Sequence, residues 1–246
     1  MNKESKVYLI TGATSGIGLD LTKKILMKKN YVICCGRSFK ELDNFVKKKK
    51  INKFYQKIKV DFSKIDNLKI FNKIKKVDFV INAAGFVEHN LIKFFNIDIF
   101  IKLMNVNLIF PVSLIAELYK KNKIADNGKI VLLSSLLNYK KTTIGSLGYG
   151  VSKSAIVSAT QSLALEFAEK NIRVNSVAPG MVNTKMVNNV KIFSKDMINA
   201  DKKKYPLEQR YAKISEVSNL VMYLLSKNSD FITGQTIVLD GGFSLT

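Results

Sequence analysis

Short apolar runs alternate with longer amphipathic stretches along most of the chain. The runs are apolar at nearly every position, which is typical of parallel strands that helices cover on both faces. The predicted strands are residues 7–11, 31–35, 54–60, 77–81, 129–133, 173–177 and 235–239. This alternation predicts an α/β fold built on a parallel sheet.

The stretches between the strands have helical patterns. Apolar residues recur at helical spacing in residues 19–26, 94–122, 155–168 and 215–226. In the longest of these, Asn107 lies between the apolar residues Val106 and Leu108. A polar amide in the middle of an apolar helix needs a buried partner or a functional role.

The length of 246 residues and the hydrophobic content of 47% fit one domain, residues 1–246, with a sizeable core. No proline- or glycine-rich linker divides the chain. A polar, lysine-rich segment at residues 188–204 interrupts the alternation of strands and helices. We therefore expect residues 185–212 to form a mobile substrate lid inserted within the domain.

The formal net charge of +21 makes nucleic acid a candidate partner. Of the 40 basic residues, however, all but Arg37, Arg173 and Arg210 are lysines, and they are spread over nearly every predicted helix. Arginine is the usual reader of guanine edges, and no predicted element concentrates it. We expect no specific nucleic-acid partner, and we expect residues 47–50 to end a helix in solvent.

Nothing in the sequence indicates a membrane, a disulfide or a metal. No apolar run reaches the roughly 20 residues that span a bilayer, and the polar start lacks a signal-peptide pattern, so we expect a cytoplasmic protein. Cys34 and Cys35 are neighbours in a predicted strand, where their side chains point to opposite faces and serve packing. His89 is the only histidine, which argues against a histidine triad or a multi-histidine metal site.

The first strand leads through Thr11-Gly12-Ala13-Thr14-Ser15-Gly16-Ile17-Gly18 into a helix. Glycines let the backbone turn tightly and approach a pyrophosphate closely. The unpaired N–H groups of the following helix N-terminus then bind the anion. The sequence therefore predicts a dinucleotide site at the end of this strand.

The second strand ends in Gly36-Arg37-Ser38, where an NAD site carries an acidic residue for the ribose 2′-hydroxyl. No acidic residue is present there. Gly36 leaves space, Arg37 can form paired hydrogen bonds to a 2′-phosphate, and Ser38 can add another. We therefore expect NADP(H) as the cofactor, with a solvated loop arginine as the alternative.

The next two strands also end in residues suited to a nucleotide. Asp61 follows the third strand and can accept a hydrogen bond from an adenine amino group, although a helix-capping role is the alternative. The fourth strand ends in Asn82-Ala83-Ala84-Gly85, whose small residues permit close approach of the backbone to a cofactor.

Tyr149 and Lys153 are spaced so that they share one face of a predicted helix. A free tyrosine has a pKa of about 10, and a nearby positive charge favours the phenolate. Tyr149 is therefore a candidate general acid–base that Lys153 tunes. The alternative is an exposed helical pair with no chemistry.

Taken in chain order, these segments resemble the short-chain dehydrogenase/reductase family over essentially the whole chain. The matching residues are Thr11-Gly12 with Gly16-Ile17-Gly18, Asn82-Ala83-Ala84-Gly85, Asn107, Ser135, Tyr149 with Lys153, Pro179-Gly180 with Thr184, Thr233-Gly234-Gln235 and Asp240-Gly241-Gly242. The resemblance implies a single-domain, Rossmann-like, doubly wound parallel sheet of about seven strands with helices on both faces.

The resemblance also implies a catalytic set of Asn107, Ser135, Tyr149 and Lys153. Tyr149 would donate a proton to a substrate carbonyl oxygen as a hydride arrives from the nicotinamide. Ser135, rather than its neighbour Ser134, would polarise the same oxygen. Lys153 would bind the nicotinamide ribose and lower the Tyr149 pKa, and Asn107 would order a water in a proton relay.

The cofactor contacts that the resemblance implies are Gly12, Thr14, Ser15, Gly16, Ile17, Gly18, Arg37, Ser38, Asp61, Phe62, Asn82, Ala83, Ala84, Gly85, Tyr149, Lys153, Pro179, Gly180, Val182 and Thr184. Overall, including the segment Tyr205-Pro206-Leu207-Glu208-Gln209-Arg210, the chain most resembles 3-oxoacyl-carrier-protein reductases. This resemblance implies a carrier-linked 3-oxoacyl thioester as substrate and a homo-oligomer, a tetramer or a dimer. Sugars and other biosynthetic keto-intermediates stay open as substrates. The rivals from another class are a cofactor-binding protein without turnover and a nucleic-acid-binding protein.

Overall fold

The computed structural model describes residues 5–184 and 195–246. Its strands are β1 Val7–Thr11, β2 Tyr31–Gly36, β3 Tyr55–Lys59, β4 Val77–Asn82, β5 Ile124–Leu133, β6 Arg173–Pro179 and β7 Thr236–Leu239. Within the described residues these seven strands form one parallel sheet in the order β3-β2-β1-β4-β5-β6-β7. The predicted doubly wound α/β sheet is therefore confirmed.

Helices connect the strands on both faces of the sheet. They are α1 Gly16–Met27, α2 Lys40–Lys49, α3 Ile97–Met104, α4 Phe110–Lys120, α5 Leu147–Phe167, α6 Lys195–Lys202 and α7 Ile214–Leu224. The connection between β3 and β4 contains a 3₁₀ segment, Ile65–Lys73. Lysines occupy the last turn of α2, where a positive charge suits the helix dipole, as the sequence predicted.

Alternate residues of each strand point to opposite faces, so the sheet has a core on each side. Leu9 of β1 is buried on the side of α4, where it shares a core with Phe110. Ile10, the next residue, is buried on the other side with Ile25 of α1 and Val221 of α7. Burial on both faces explains why the strands are apolar throughout.

The strand order reverses between β1 and β4, which are neighbours in the sheet. In open α/β sheets, ligands bind in the crevice at the carboxyl ends of the strands beside such a reversal. Gly12 follows β1 and Ala83 follows β4 at this edge. The fold therefore brings the predicted glycine turn and the predicted small-residue segment to one crevice.

Helices α3 and α4 form a continuous helical stretch that is widened at Asn105–Ile109. The Phe110 N–H bonds there to the carbonyl five residues before it. Pro111 comes next and has no N–H for the carbonyl of Asn107, four residues before it. The wider turn accommodates this proline, and Asn107 lies within the turn, fully buried.

The helical stretch Ile97–Lys120 is the one part of the described chain that is long and apolar enough to cross a membrane. The expectation that no segment reaches this length is therefore corrected. Its inner face supplies Leu103, Phe110 and Leu118 to the buried interior. In this fold one face of the stretch packs against the domain core, while Ile97 and Ile101 are exposed.

Part of the expected substrate lid, residues 185–194, lies outside the described residues. Beyond α6, the buried ring of Tyr205 stacks on Phe243, with 4.7 Å between the ring centroids. The Tyr205 hydroxyl accepts a hydrogen bond from the Met181 N–H. The end of the segment is therefore tied to the rest of the domain, while a lid role for residues 185–212 stays a prediction.

Two of the arginines have structural partners. Arg173 donates to the carbonyls of Leu224 and Ser226, at the C-terminal end of α7, where a cation suits the helix dipole. Arg210 forms a paired contact with the Glu216 carboxylate, at 2.7 and 2.9 Å. Neither arginine is therefore available to read a nucleic-acid base.

Candidate active site

The turn after β1 lies directly against the turn after β4. Gly12 has φ +65°, and a Cβ atom there would lie 2.7 Å from the backbone of Ala83 and Ala84. A Cβ atom on Gly18 would collide with the Gly12 carbonyl oxygen. Only glycine fits at either position, so the backbone lies where side chains would otherwise fill the crevice.

The N-terminus of α1 opens into this crevice. Ser15 is the N-cap residue, its side chain forms no capping hydrogen bond, and the first turn has no acidic residue. The first N–H groups of a helix lack intrahelical partners and attract anions. The Thr184 methyl group lies 3.9 Å from the position of a Cβ on Gly16, so Thr184 approaches the same helix end.

A buried polar pair links β1 to β4 beneath the crevice. The Thr11 hydroxyl donates to the Asn82 side-chain oxygen at 2.6 Å and accepts from the Ala84 N–H at 3.2 Å. The Asn82 Nδ2 group is buried and has no hydrogen-bond partner within the described chain. Together with the glycine turn and the uncapped helix, this donor fits a bound dinucleotide.

An open cleft of about 520 Å³ lies at the end of β2. Its lining residues are Thr14, Ser15, Arg37, Ser38, Lys40, Glu41 and Asn44. The cleft brings Arg37 and Ser38, which were predicted at the 2′-phosphate, together with Thr14 and Ser15, which were predicted as cofactor contacts. A Cβ on Gly36 would lie 2.7 Å from the Thr14 hydroxyl, so the space that this glycine leaves holds Thr14.

Lys40 is a cleft residue that sequence reasoning missed. It is exposed and begins α2, close to the exposed Arg37. A lysine is unfavourable at a helix N-terminus unless an anion compensates its charge. The position of Lys40 at the start of a helix was therefore the sequence feature that could have identified it. The neighbouring Glu41 is paired with Lys23 at 2.8 Å, which leaves the cleft with a positive balance.

Asp61 and Phe62 follow β3 but differ in their surroundings. Asp61 Oδ1 accepts hydrogen bonds from the N–H and the hydroxyl of Ser63, and these bonds, helped by the charge of Arg37, hold the Asp61 pKa below its ordinary value. The Phe62 ring is buried edge-on against Phe110, with 5.2 Å between centroids. Asp61 thus lies near the cleft, whereas the Phe62 side chain is turned into the core.

Tyr149 is in the first turn of α5, partly buried, with its phenol close to Ser135. Burial raises the pKa of Tyr149 above its ordinary value, and a hydrogen bond with Ser135 opposes this shift. The expected lowering of the Tyr149 pKa by Lys153 is therefore wrong for this geometry, because desolvation of the phenol outweighs the other influences.

The two adjacent serines after β5 have different contacts. Ser134 donates to the backbone carbonyl of Lys153 at 2.7 Å and so holds α5 against the sheet. The Ser135 hydroxyl accepts from the Leu137 N–H at 3.2 Å and reaches Tyr149. The arrangement favours Ser135 over Ser134 as the partner of the phenol.

Lys153 is 4% exposed and donates from Nζ to the Leu133 carbonyl at 2.7 Å. Burial lowers the pKa of Lys153 from 10.5 to about 8. A Cβ on Gly85 would lie 3.7 Å from Lys153 Nζ and 3.8 Å from Asn107 Oδ1. The ammonium and the Asn107 amide therefore both border the small-residue turn after β4.

Asn107 has the buried partners that its apolar surroundings require. Its Oδ1 accepts from the Phe86 N–H at 2.8 Å, and its Nδ2 donates to the Phe86 carbonyl at 2.9 Å and to the Ser152 hydroxyl at 2.9 Å. The prediction of a buried partner for this amide is confirmed. Ser152, which supplies one of these contacts, was not predicted.

The predicted residues after β6 lie beside β5 and β7. The Pro179 carbonyl accepts from the Leu136 N–H at 3.0 Å, which places it next to the serine pair. The Gly180 N–H donates to the Leu239 carbonyl, and Val182 is buried. These residues and Thr184 connect the site of Tyr149 to the N-terminus of α1 along the strand ends.

His89 also lies near the candidate catalytic tyrosine. Its ring centroid is 6.1 Å from that of Tyr149, and its side chain is exposed. Sequence reasoning weighed this histidine only against metal and triad chemistry. The signal that was available is its position in the turn that follows Gly85.

The comparisons with known proteins agree with this geometry. The family model described as enoyl-(acyl carrier protein) reductase matches residues 12–244. The 3-oxoacyl-acyl-carrier-protein reductase FabG of Buchnera aphidicola is 31% identical, with 100% of each chain covered, and that of Thermotoga maritima is 32% identical over 98% of this chain and 99% of the relative. The solved structure of a 4-hydroxyisoleucine dehydrogenase complexed with NADH matches with a TM-score of 0.88 at 29% identity, covering 98% of this chain and 100% of that chain. The chain belongs to the short-chain dehydrogenase/reductase family of oxidoreductases, close to the 3-oxoacyl-carrier-protein reductases.

Proposed function

We propose that this protein is an NADPH-dependent carbonyl reductase that converts a ketone or aldehyde to an alcohol with Asn107, Ser135, Tyr149 and Lys153. The observations that carry the proposal are the Tyr149 phenol beside the Ser135 hydroxyl and the buried Lys153 ammonium of the same helix, next to a crevice that suits a dinucleotide.

Tyr149 is the proton donor. Its raised pKa keeps the phenol protonated near neutral pH, which is the state that a reduction requires. The Ser135 hydroxyl, which lies beside the phenol, donates to the same substrate oxygen and stabilises the negative charge that develops on it. A carbonyl oxygen held between these two hydroxyls is activated and protonated in one position.

Lys153 and Asn107 support the proton donor. The Lys153 ammonium is held by the Leu133 carbonyl at the crevice, where it can bind ribose hydroxyls of a cofactor. Asn107 holds the Phe86 backbone beside it, and we assign it the positioning of a relay water. Together they reprotonate Tyr149 after it has donated its proton to the substrate.

The residues of the crevice fit NADP(H). The turn at Gly12 and the N-terminus of α1 would hold the pyrophosphate, and Asn82 Nδ2 offers an unused donor. Arg37 and Lys40 would pair with the 2′-phosphate. When bound, the cofactor supplies the hydride and, in its oxidised form, a positive charge that favours the Tyr149 phenolate.

A 3-oxoacyl thioester on a carrier protein is the proposed substrate, because FabG relatives with that activity in their names align over the full length. We also propose a homo-oligomer, because apolar side chains of α3 and α5 are exposed, among them Ile97, Ile101, Leu147 and Val151. The cytoplasmic placement stays part of the proposal, because one face of the apolar stretch Ile97–Lys120 packs against the domain core.

The test is NADPH oxidation measured with 3-oxoacyl thioesters, keto-sugars and simple ketones, in the wild type and in Tyr149→Phe. We expect turnover of the thioesters, and a fall in kcat of about 10²–10⁴-fold in the variant with NADPH binding unchanged, because only the proton donor is removed. Tyr223→Phe is the control, since it removes a phenol hydroxyl that bonds to Asn228, away from the site. Wild-type rates in Tyr149→Phe would refute the assignment of Tyr149 as the proton donor. Faster turnover of keto-sugars than of thioesters would identify keto-sugars as the substrate class instead.

A further inference from the structure

Ser152 lies on α5 next to Lys153 and is fully buried. Its hydroxyl donates to the Tyr149 carbonyl at 2.7 Å and accepts from Asn107 Nδ2 at 2.9 Å. It is therefore the direct hydrogen-bonded link between the amide in the widened turn of the α3–α4 stretch and the backbone of the candidate proton donor.

The direction of each hydrogen bond in this link is determined by chemistry. An amide NH₂ group only donates and a backbone carbonyl only accepts, so the Ser152 hydroxyl must accept from Asn107 and donate to Tyr149. The Phe86 N–H and carbonyl hold the same amide in the same orientation. A flipped amide would face two wrong partners at Phe86, and the Ser152 hydroxyl could donate to it only by giving up its bond to the Tyr149 carbonyl.

We propose that Ser152 is a positioning residue for the reduction, which holds Asn107 and the first turn of α5 in one fixed arrangement. This inference rests on the proposed function and deepens it. Ser152 does not touch the substrate, and it acts by keeping the Tyr149 phenol in place relative to Ser135 and the Asn107 amide. A displacement of about 1 Å of a catalytic group costs about 10²-fold in rate, so holding the Tyr149 phenol in place matters for turnover.

The experiment compares Ser152→Ala with Ser154→Ala and Ser152→Thr. Ser154 is a matched control because it lies on the same helix and its Oγ is buried without a hydrogen-bond partner in the described chain. Threonine keeps the hydroxyl that both bonds need. We expect Ser152→Ala to lose about 10–100-fold in kcat with the KM for NADPH within about twofold. Ser154→Ala should match the wild type, and Ser152→Thr should recover most of the lost rate.

A second measurement does not depend on turnover. The Phe86 N–H is protected by Asn107 Oδ1, so its hydrogen exchange should become faster in Ser152→Ala and stay unchanged in Ser154→Ala. Wild-type kcat and unchanged Phe86 exchange in Ser152→Ala would overturn the proposal, as would equal losses in Ser154→Ala. A wild-type protein without any carbonyl turnover would instead refute the proposed function. The exchange result would still decide whether Ser152 holds Asn107 in place.

Discussion

Replacing Lys153 with methionine should stabilise the protein while abolishing its proposed activity. Lys153 is 4% exposed, and within the described part of the chain its ammonium has one hydrogen bond, to the Leu133 carbonyl. A charged group that is removed from water and incompletely compensated raises the free energy of the folded state. Methionine has a similar length and no charge, so it fills the space without this penalty.

The magnitude follows from the pKa of Lys153, which burial lowers from 10.5 to about 8. Each unit corresponds to about 1.4 kcal/mol, so at pH 7 the buried charge costs about 3 kcal/mol. The cost is fully present below pH 8 and vanishes as the pH rises to 10.5, because the unfolded chain binds more protons in this window. At pH 9.5 only about 1 kcal/mol remains. The loss of the hydrogen bond to Leu133 reduces the gain in stability by about 1 kcal/mol.

The net effect expected for Lys153→Met is a gain of about 2 kcal/mol in the free energy of unfolding at pH 7 and almost none at pH 9.5. Urea unfolding at the two pH values measures it, and the Tm at pH 7 should rise by about 4–8 °C. Lys48→Met, at an exposed lysine of α2, is the control and should show neither effect. Destabilisation at pH 7, or a gain that does not change with pH, would refute the reasoning.

Three further predictions concern cofactor, substrate and acid stability. Arg37→Ala should raise the KM for NADPH about 10-fold or more and leave the KM for NADH within about twofold, because only the partner of the 2′-phosphate is lost. An equal rise in both KM values would exclude this role for Arg37. His89→Ala should raise the KM for the carbonyl substrate and leave that for NADPH unchanged, since its ring lies beside Tyr149; a change confined to NADPH would contradict it. In Glu216→Gln, acid unfolding should begin at a higher pH than in the wild type. Arg210 lowers the Glu216 pKa from 4.5 to about 2, so this carboxylate stabilises the wild type above pH 4.5, and that stability is lost as the pH falls to 2. An unchanged acid transition in the variant would argue against this contribution.

Local signals predicted the frame of the site well. The turn at Gly12 was expected from glycine spacing, and its positive φ and close contact with Ala83 show why no larger residue fits. The strands are correct to within about two residues, except for β5, which begins at Ile124 rather than residue 129. Asp126, Asn127 and Gly128 are typical of a turn, and the register between β4 and β5 shifts at this point.

Interactions between distant segments could not be predicted from local patterns. The amide of Asn107 was expected to need a partner, but the pairing with Ser152 depends on how the widened turn before Pro111 packs against α5. The sign of the pKa shift of Tyr149 is a similar case. The spacing to Lys153 suggested a lower value, whereas the balance between burial and charge is determined only by the packed site.

The central claim is that Tyr149 delivers a proton to a carbonyl that receives its hydride from a nicotinamide held at this crevice. Isotope transfer tests it most directly, with NADPH that carries deuterium at C4 in either stereochemical position and a 3-oxoacyl thioester as acceptor. We predict that the wild type places deuterium on the carbinol carbon of the product from one of the two labelled cofactors, and that Tyr149→Phe transfers almost none. Equal transfer by the wild type and Tyr149→Phe would contradict the claim.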